Sequence, residues 1–192
     1  MNMLTTNKRI ELFLNMMNNR VSPEFMNWLT STGFFTSPAS TKYHGAYEGG
    51  LFDHSLAVTE QLVRFTDALG LKWTRPESPW IVGMFHDLCK IDLYEVVVDE
   101  EGVQLFGSDE AKGKKVHFIH NDDCILKGHG DKSIMLLSQF MTLTVEEIFC
   151  IRFHMGAYEK ESWNEWDAAI RQFETVLWTH TADMYASKVL DC

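Results

Sequence analysis

Positive charge is the scarcest commodity in this chain: 17 lysines and arginines face 27 aspartates and glutamates, a formal net charge of −10 over 192 residues. Affinity for phosphate backbones comes mostly from lysine and arginine, so general duplex nucleic-acid binding is excluded. The four cysteines, Cys89, Cys124, Cys150 and Cys192, have no paired spacing, which excludes a disulfide-built scaffold and points to reduced thiols in a cytoplasmic setting. No stretch approaches the roughly 20 apolar residues of a membrane span. The opening Met1-Asn-Met-Leu-Thr-Thr-Asn-Lys-Arg9 lacks an apolar core followed by a cleavage site, so neither insertion nor secretion is expected. Internal repeats, linkers and low-complexity tracts are also missing. What remains, 45% hydrophobic with only 4 prolines, is enough for one core and short for two, hence a single domain over residues 1–192.

The apolar residues recur mostly at helical spacing. Thr6 to Asn18 carries Ile10, Phe13, Leu14 and Met17. Ser22-Pro23-Glu24 is a helix start, with an N-cap, a proline at the first helical position and an early acid, and Phe25, Trp28 and Leu29 then face inward until Gly33. Residues 34–50 read as a long loop. Helices are expected at Leu51 to Leu69, with Leu51, Val58, Leu62, Phe65 and Leu69 inward, and at Trp80 to Lys90 beyond Pro76 and Pro79. The period then changes: Tyr94 to Val98, a turn at Asp99 to Gly102 and Val103 to Phe106 predict a β-hairpin, with Lys115 to His120 as a third strand, either an exposed ornament or a flap bearing on substrate access. Helix resumes near Asp131 to Gln139, again behind the capping box Thr144-Val-Glu-Glu147, and finally over Trp163 to Leu190, with Phe173, Val176, Leu177, His180 and Asp183 on one face. The expectation is an all-α bundle with a small β-hairpin insertion around 94–120.

Chemistry gathers where the apolar run Trp80-Ile-Val-Gly-Met-Phe85 ends in His86-Asp87. A buried carboxylate without a partner is costly, and imidazole is the commonest nitrogen ligand, so a divalent cation is the economical partner for the two together. His54 opens an amphipathic helix, and His129, His154 and Asp183 each fall at an end or on one face of a predicted helix, where bundles build metal sites from facing elements. Four histidines and two aspartates suit Mn²⁺, Fe²⁺, Co²⁺, Ni²⁺ or Zn²⁺ and give little reason for calcium. A bound ion would add positive charge, and Lys90, Lys127 and Lys132 adjoin the ligand motifs, so the site favours a small anion although the chain is acidic. His117, His120 and His180 read as structural or surface residues, and the six tryptophans as core.

The order His54, His86-Asp87, His129, His154, Asp183 resembles the HD-domain superfamily of metal-dependent phosphohydrolases, in the branch that carries all six ligands. The segment from Pro38 to Gly49-Gly-Leu-Phe-Asp-His54 is similar to the opening of HD-domain 3′-to-5′ exoribonucleases. Their His-Asp-x-Gly-Lys box is matched by His86-Asp-Leu-Cys-Lys90, with Cys89 in place of glycine. Leu126-Lys-Gly-His-Gly-Asp-Lys-Ser133 and Ile151-Arg-Phe-His-Met-Gly156 look closer to small bacterial and phage HD-domain hydrolases. The resemblance implies two metal ions on the six residues, bridged by Asp87, a metal-bound hydroxide attacking phosphorus, and Lys90 at the phosphoryl oxygens. His44, Lys127 and Lys132 are expected to contact a small phosphorylated, nucleotide-like substrate. Diiron oxygenases of this fold share the ligand set and a non-catalytic nucleotide sensor is the third class, but Lys90 and the Gly128-His-Gly-Asp-Lys-Ser133 box favour phosphate chemistry.

Overall fold

A computed structural model describes residues 4–99, 115–126, 128–157 and 163–191. Thr5 caps α1 (Thr6–Met17) by accepting from the Lys8 amide, and Ser22 caps α2 (Pro23–Ser31) with Pro23 in its first turn. After a loop come α3 (Gly50–Leu69), α4 (Ser78–Phe85), a 3₁₀ turn (Leu88–Ile91) and two strands, β1 (Tyr94–Asp99) and β2 (Lys115–His120). Four more helices follow, α5 (His129–Leu137), α6 (Val145–Arg152), α7 (Trp163–Gln172) and α8 (Thr175–Tyr185), the last running into a π-helical turn at Ala186–Leu190. The result is predominantly helical with one two-stranded ribbon. Among the described residues, no helix is long and apolar enough to cross a membrane.

Phenylalanine builds the end of the core where α1 to α4 meet. Phe13, Phe25, Phe34, Phe52 and Phe85 are fully buried and meet largely edge to face, as between Phe13 and Phe35 at 5.5 Å, while Phe25 stacks on Phe140 at 4.6 Å. Each such ring contributes about 1.5–3 kcal/mol by leaving water. Around this cluster α3 packs against α4 and α8, and α6 packs against α4, α5 and α8. The inward faces are narrower than periodicity suggests: Leu14, Leu69 and Leu177 are exposed.

Three elements differ from expectation. α4 stops at Phe85, and His86-Asp87 leaves the α-helix before the 3₁₀ turn, which turns the Asp87 carboxylate inward. The long C-terminal helix breaks at Phe173-Glu174, and just beyond the break the Thr175 side chain donates to buried Glu146, fastening the start of α8 to α6. β1 pairs antiparallel with β2, Tyr94 opposite His120 and Val97 opposite His117, making 115–120 its direct partner. Residues 100–114, with the expected strand 103–106, lie outside the described residues.

A buried charged anchor joins α4, α6 and α8. The Thr144 capping box is completed by Glu147, whose carboxylate also accepts from Ser78 Oγ at 2.8 Å and from Arg75 Nε and Nη2 at 2.7 and 2.9 Å. Its neighbour Glu146 accepts from the Thr74 amide and, at 2.6 Å, from Thr175 Oγ1. Removing Glu147 strips the buried Ser78 hydroxyl and the helix cap of their acceptor while half-buried Arg75 can turn to water, so Glu147→Ala is expected to cost about 1–3 kcal/mol in chemical denaturation, and no measurable loss would show the anchor to be dispensable.

Candidate metal centre

Each site residue sits where backbone geometry can aim it. His54 lies near the start of α3, His86 caps the end of α4 with Asp87 next, His154 follows the end of α6, Asp183 is on the inner face of α8 and His129 opens α5. Two glycines let these elements close. A Cβ on Gly83 would lie 2.6 Å from Thr59 Cα, so α4 approaches α3 in a way no larger residue allows, bringing His86 to His54. A Cβ on Gly130 would lie 2.6 Å from Arg152 Cα, so the start of α5 rests against the end of α6 and sets His129 near His154. At the entry to α3, Arg9 holds Asp53 through two bonds of 2.9 and 2.8 Å and fixes the turn that carries His54.

The donor set has more acceptors than protons. His86 Nδ1 lies 2.8 Å from the Gly83 carbonyl and His154 Nδ1 lies 2.7 Å from the Ile151 carbonyl. A carbonyl can only accept, so both Nδ1 atoms donate, and in the neutral ring that leaves the Nε2 lone pair facing the interior, the orientation a metal ligand needs. There His86 Nε2 faces His54 Nε2 at 3.3 Å and Asp87 Oδ2 at 3.5 Å. His54 Nε2 lies 3.1 Å from Asp183 Oδ1 and 3.6 Å from Asp87 Oδ2, and His154 Nε2 lies 3.4 Å from Asp87 Oδ1. Asp87 Oδ1 and His154 Nε2 are buried with no hydrogen-bond partner. Ligand atoms 2.0–2.1 Å from one ion at a tetrahedral angle stand roughly 3.3 Å apart, which is the spacing seen here. Two groups can hold an ion, His54 with His86 and Asp87, and Asp87 with Cys89 and His129; Asp87 belongs to both.

Lys90 supplies the ammonium beside these carboxylates, 2.6 Å from Asp87 Oδ2 and buried. Burial alone would raise Asp87, but Lys90 and His86 hold it well below the usual carboxylate range; burial would lower Lys90, and Asp87 raises it instead. Asp183 is likewise held low against burial by its bond to His54 and the neighbouring imidazoles. The His44 ring packs 4.9 Å from that of His54, and burial with the His54 and Lys90 charges pushes it down to about 4, so it is neutral with Nδ1 unpartnered. Burial lowers His129 as well.

The structure thus brings together His44, His54, His86, Asp87, Lys90, His154 and Asp183, with His129 beside Cys89. Lys132 Nζ is taken up by Asp92 and the Cys124 thiol, the latter at 3.0 Å, and Lys127 lies outside the described residues. Some contributors carried no sequence signal. His180 Nδ1 donates to the His154 carbonyl at 2.7 Å, and Cys89 Sγ lies 3.8 Å from His129 Nδ1. Beside His129 opens a groove of about 620 Å³ whose wall includes Tyr43, Arg152, Phe153 and Lys188.

Compared with protein-family models, with curated proteins and with solved structures, the chain gives no match.

Because Asp87 is common to both ligand groups, Asp87→Ala is expected to empty the centre in metal analysis of protein purified without chelator. His129→Ala should leave the His54-His86 group loaded. Equal metal in Asp87→Ala and unaltered protein would remove Asp87 from the ligand set.

Proposed function

We propose that this protein is an HD-domain metal-dependent phosphohydrolase that cleaves a phosphomonoester, phosphoanhydride or phosphodiester of a small nucleotide-like substrate. In this reading two divalent transition-metal ions, from the set Mn, Fe, Co, Ni and Zn, are held by His54, His86, Asp87, His129, His154 and Asp183. The observation that carries it is the convergence of the His54, His86 and His154 imidazoles on two buried carboxylates, with Asp87 Oδ1 and His154 Nε2 facing each other without a hydrogen bond. When bound, the ions supply Lewis acidity toward phosphoryl oxygens and bring the pKa of water down from 15.7 to about 7.

The chain's own residues account for the rest. Lys90 keeps its charge in a buried position beside Asp87, which suits it to pair a non-bridging phosphoryl oxygen as negative charge develops. His44 stays neutral with a free ring nitrogen and can donate or hold a proton at the substrate. The loop that bears it is ordered, since Ser40 Oγ accepts from the Tyr43 amide and donates to the His44 carbonyl. In the groove, Tyr43 is 77% exposed and offers a face for a nucleobase and Lys188 offers charge to a phosphate, while Arg152 is ion-paired with Asp131 and Glu165 of the same wall. Three buried free cysteines accord with a reducing, cytoplasmic setting.

The deciding experiment is an anaerobic panel of nucleotides and phosphodiesters with Mn²⁺, Co²⁺ or Ni²⁺. Release of phosphate or of a nucleotide is expected, because hydrolysis needs only water and a Lewis acid. Strict dependence on iron and dioxygen would replace this reading with oxygenation.

A second measurement concerns Lys90. Lys90→Ala is expected to lower kcat with metal retained, by about 10²-fold or more if it stabilises transition-state charge. Loss of metal in that variant would mark Lys90 as a structural counter-ion of Asp87.

A further inference from the structure

We infer that the two halves of the centre differ in chemical softness: Cys89 Sγ is a thiolate ligand in the Asp87–His129 half, which therefore takes a thiophilic divalent ion such as Zn²⁺ or Co²⁺. The remaining ligands, His54, His86, His154 and Asp183 with the shared Asp87, are nitrogen and oxygen throughout. This rests on the two-ion reading above and assigns Cys89 a role in it.

Three observations bear on Cys89. Its sulfur, a ring nitrogen of His129 and a carboxylate oxygen of Asp87 all lie within 4.8 Å of one another. The sulfur-to-nitrogen distance is 3.8 Å, and a zinc ion with Zn–S about 2.3 Å and Zn–N about 2.0 Å spaces two such ligands roughly 3.5 Å apart at a tetrahedral angle. The backbone is fastened for this purpose, since the Cys89 amide donates at 3.0 Å to Ser133 Oγ of α5, one turn beyond His129 on the same helix. Finally, Asp87 Oδ2 is taken by Lys90, while Oδ1 is buried without a hydrogen-bond partner.

Softness then decides occupancy. Thiolate favours zinc and cobalt, whereas carboxylate and water suit manganese and magnesium, so a sulfur in one half separates the two positions by metal preference. Binding converts the Cys89 thiol to thiolate and releases its proton to solvent, with no change of oxidation state.

The test is a Co²⁺ titration of the chelator-stripped full chain, followed by near-ultraviolet absorption and by a count of bound cobalt. An intense thiolate-to-cobalt charge-transfer band is expected. It should vanish in Cys89→Ser, persist in Cys124→Ser and Cys150→Ser, and fall in His129→Ala. Cys89→Ser should weaken Co²⁺ binding in that half by about tenfold or more, the scale of a ligand-shell change, and leave Mn²⁺ binding unaltered. Two bound cobalt ions without the band overturn the assignment and leave the two-ion reading standing. One ion with a Cys89-dependent band keeps the assignment and removes the two-ion reading. No band with one ion or none removes both, and a band that follows Cys124 or Cys150 overturns the assignment. If Cys89→Ser does not fold, the spectrum of the unaltered chain and Cys89→Ala decide on the same criteria.

Discussion

A shortage of protons in the bundle interior governs this structure. Asp87 and Asp183 bring two carboxylates inside, His86 and His154 spend their Nδ1 protons on backbone carbonyls, and among the described residues the ammonium paired with Asp87 is Lys90. The neutral His86 and His154 rings would turn Nε2 lone pairs to the Asp87 carboxylate at 3.4–3.5 Å, an arrangement that repels in a low-dielectric setting unless a cation lies between them. The fold tolerates this because the Gly83 and Gly130 contacts and the Arg9-Asp53 pair hold the facing elements together from outside the cluster. Positive charge is scarce along the whole chain, and the centre concentrates that scarcity at one point.

Backbone carbonyls set the orientation of the ring nitrogens. Gly83 and Ile151 each lie three residues before the histidine they receive, so the last turn of a helix uses its own unsatisfied carbonyl to aim the imidazole that follows. His180 extends the pattern by donating to the carbonyl of His154. Orphan groups at helix ends thus become the second layer of the centre, which explains why the ligands cluster at helix ends.

The helical class, the caps at Ser22 and Thr144 and most of the inward faces were legible in the sequence, since each depends on neighbours within a few residues. The convergence of His54, His86, Asp87, His154 and Asp183 could be expected from their order, although spacing alone carries no distances. Three things were hidden because they depend on tertiary partners. The strand that pairs with Tyr94–Asp99 lies across residues 100–114, so local turn signals could not name it. The break before Thr175 falls where the start of α8 is bonded to Glu146, 29 residues away. Lys132, adjacent to a ligand motif in sequence, is held by Asp92 and Cys124, while Cys89, read as a departure from a motif, meets His129 across the gap between the 3₁₀ turn and α5.

The Glu146–Glu147 anchor has a thermodynamic consequence for loading. It binds the lead-in to α4 and the start of α8 to α6, the three helices that deliver His86 with Asp87, Asp183 and His154. Parts joined this way open and close as one cooperative unit, so the ligands assemble or disperse together instead of peeling away singly. An ion that binds only the assembled form stabilises that unit by RT ln(1 + [M]/Kd), and the same relation makes chelation a destabilising act on the helices themselves. With an ion bound there, metal supply and the equilibrium stability of these helices would be linked.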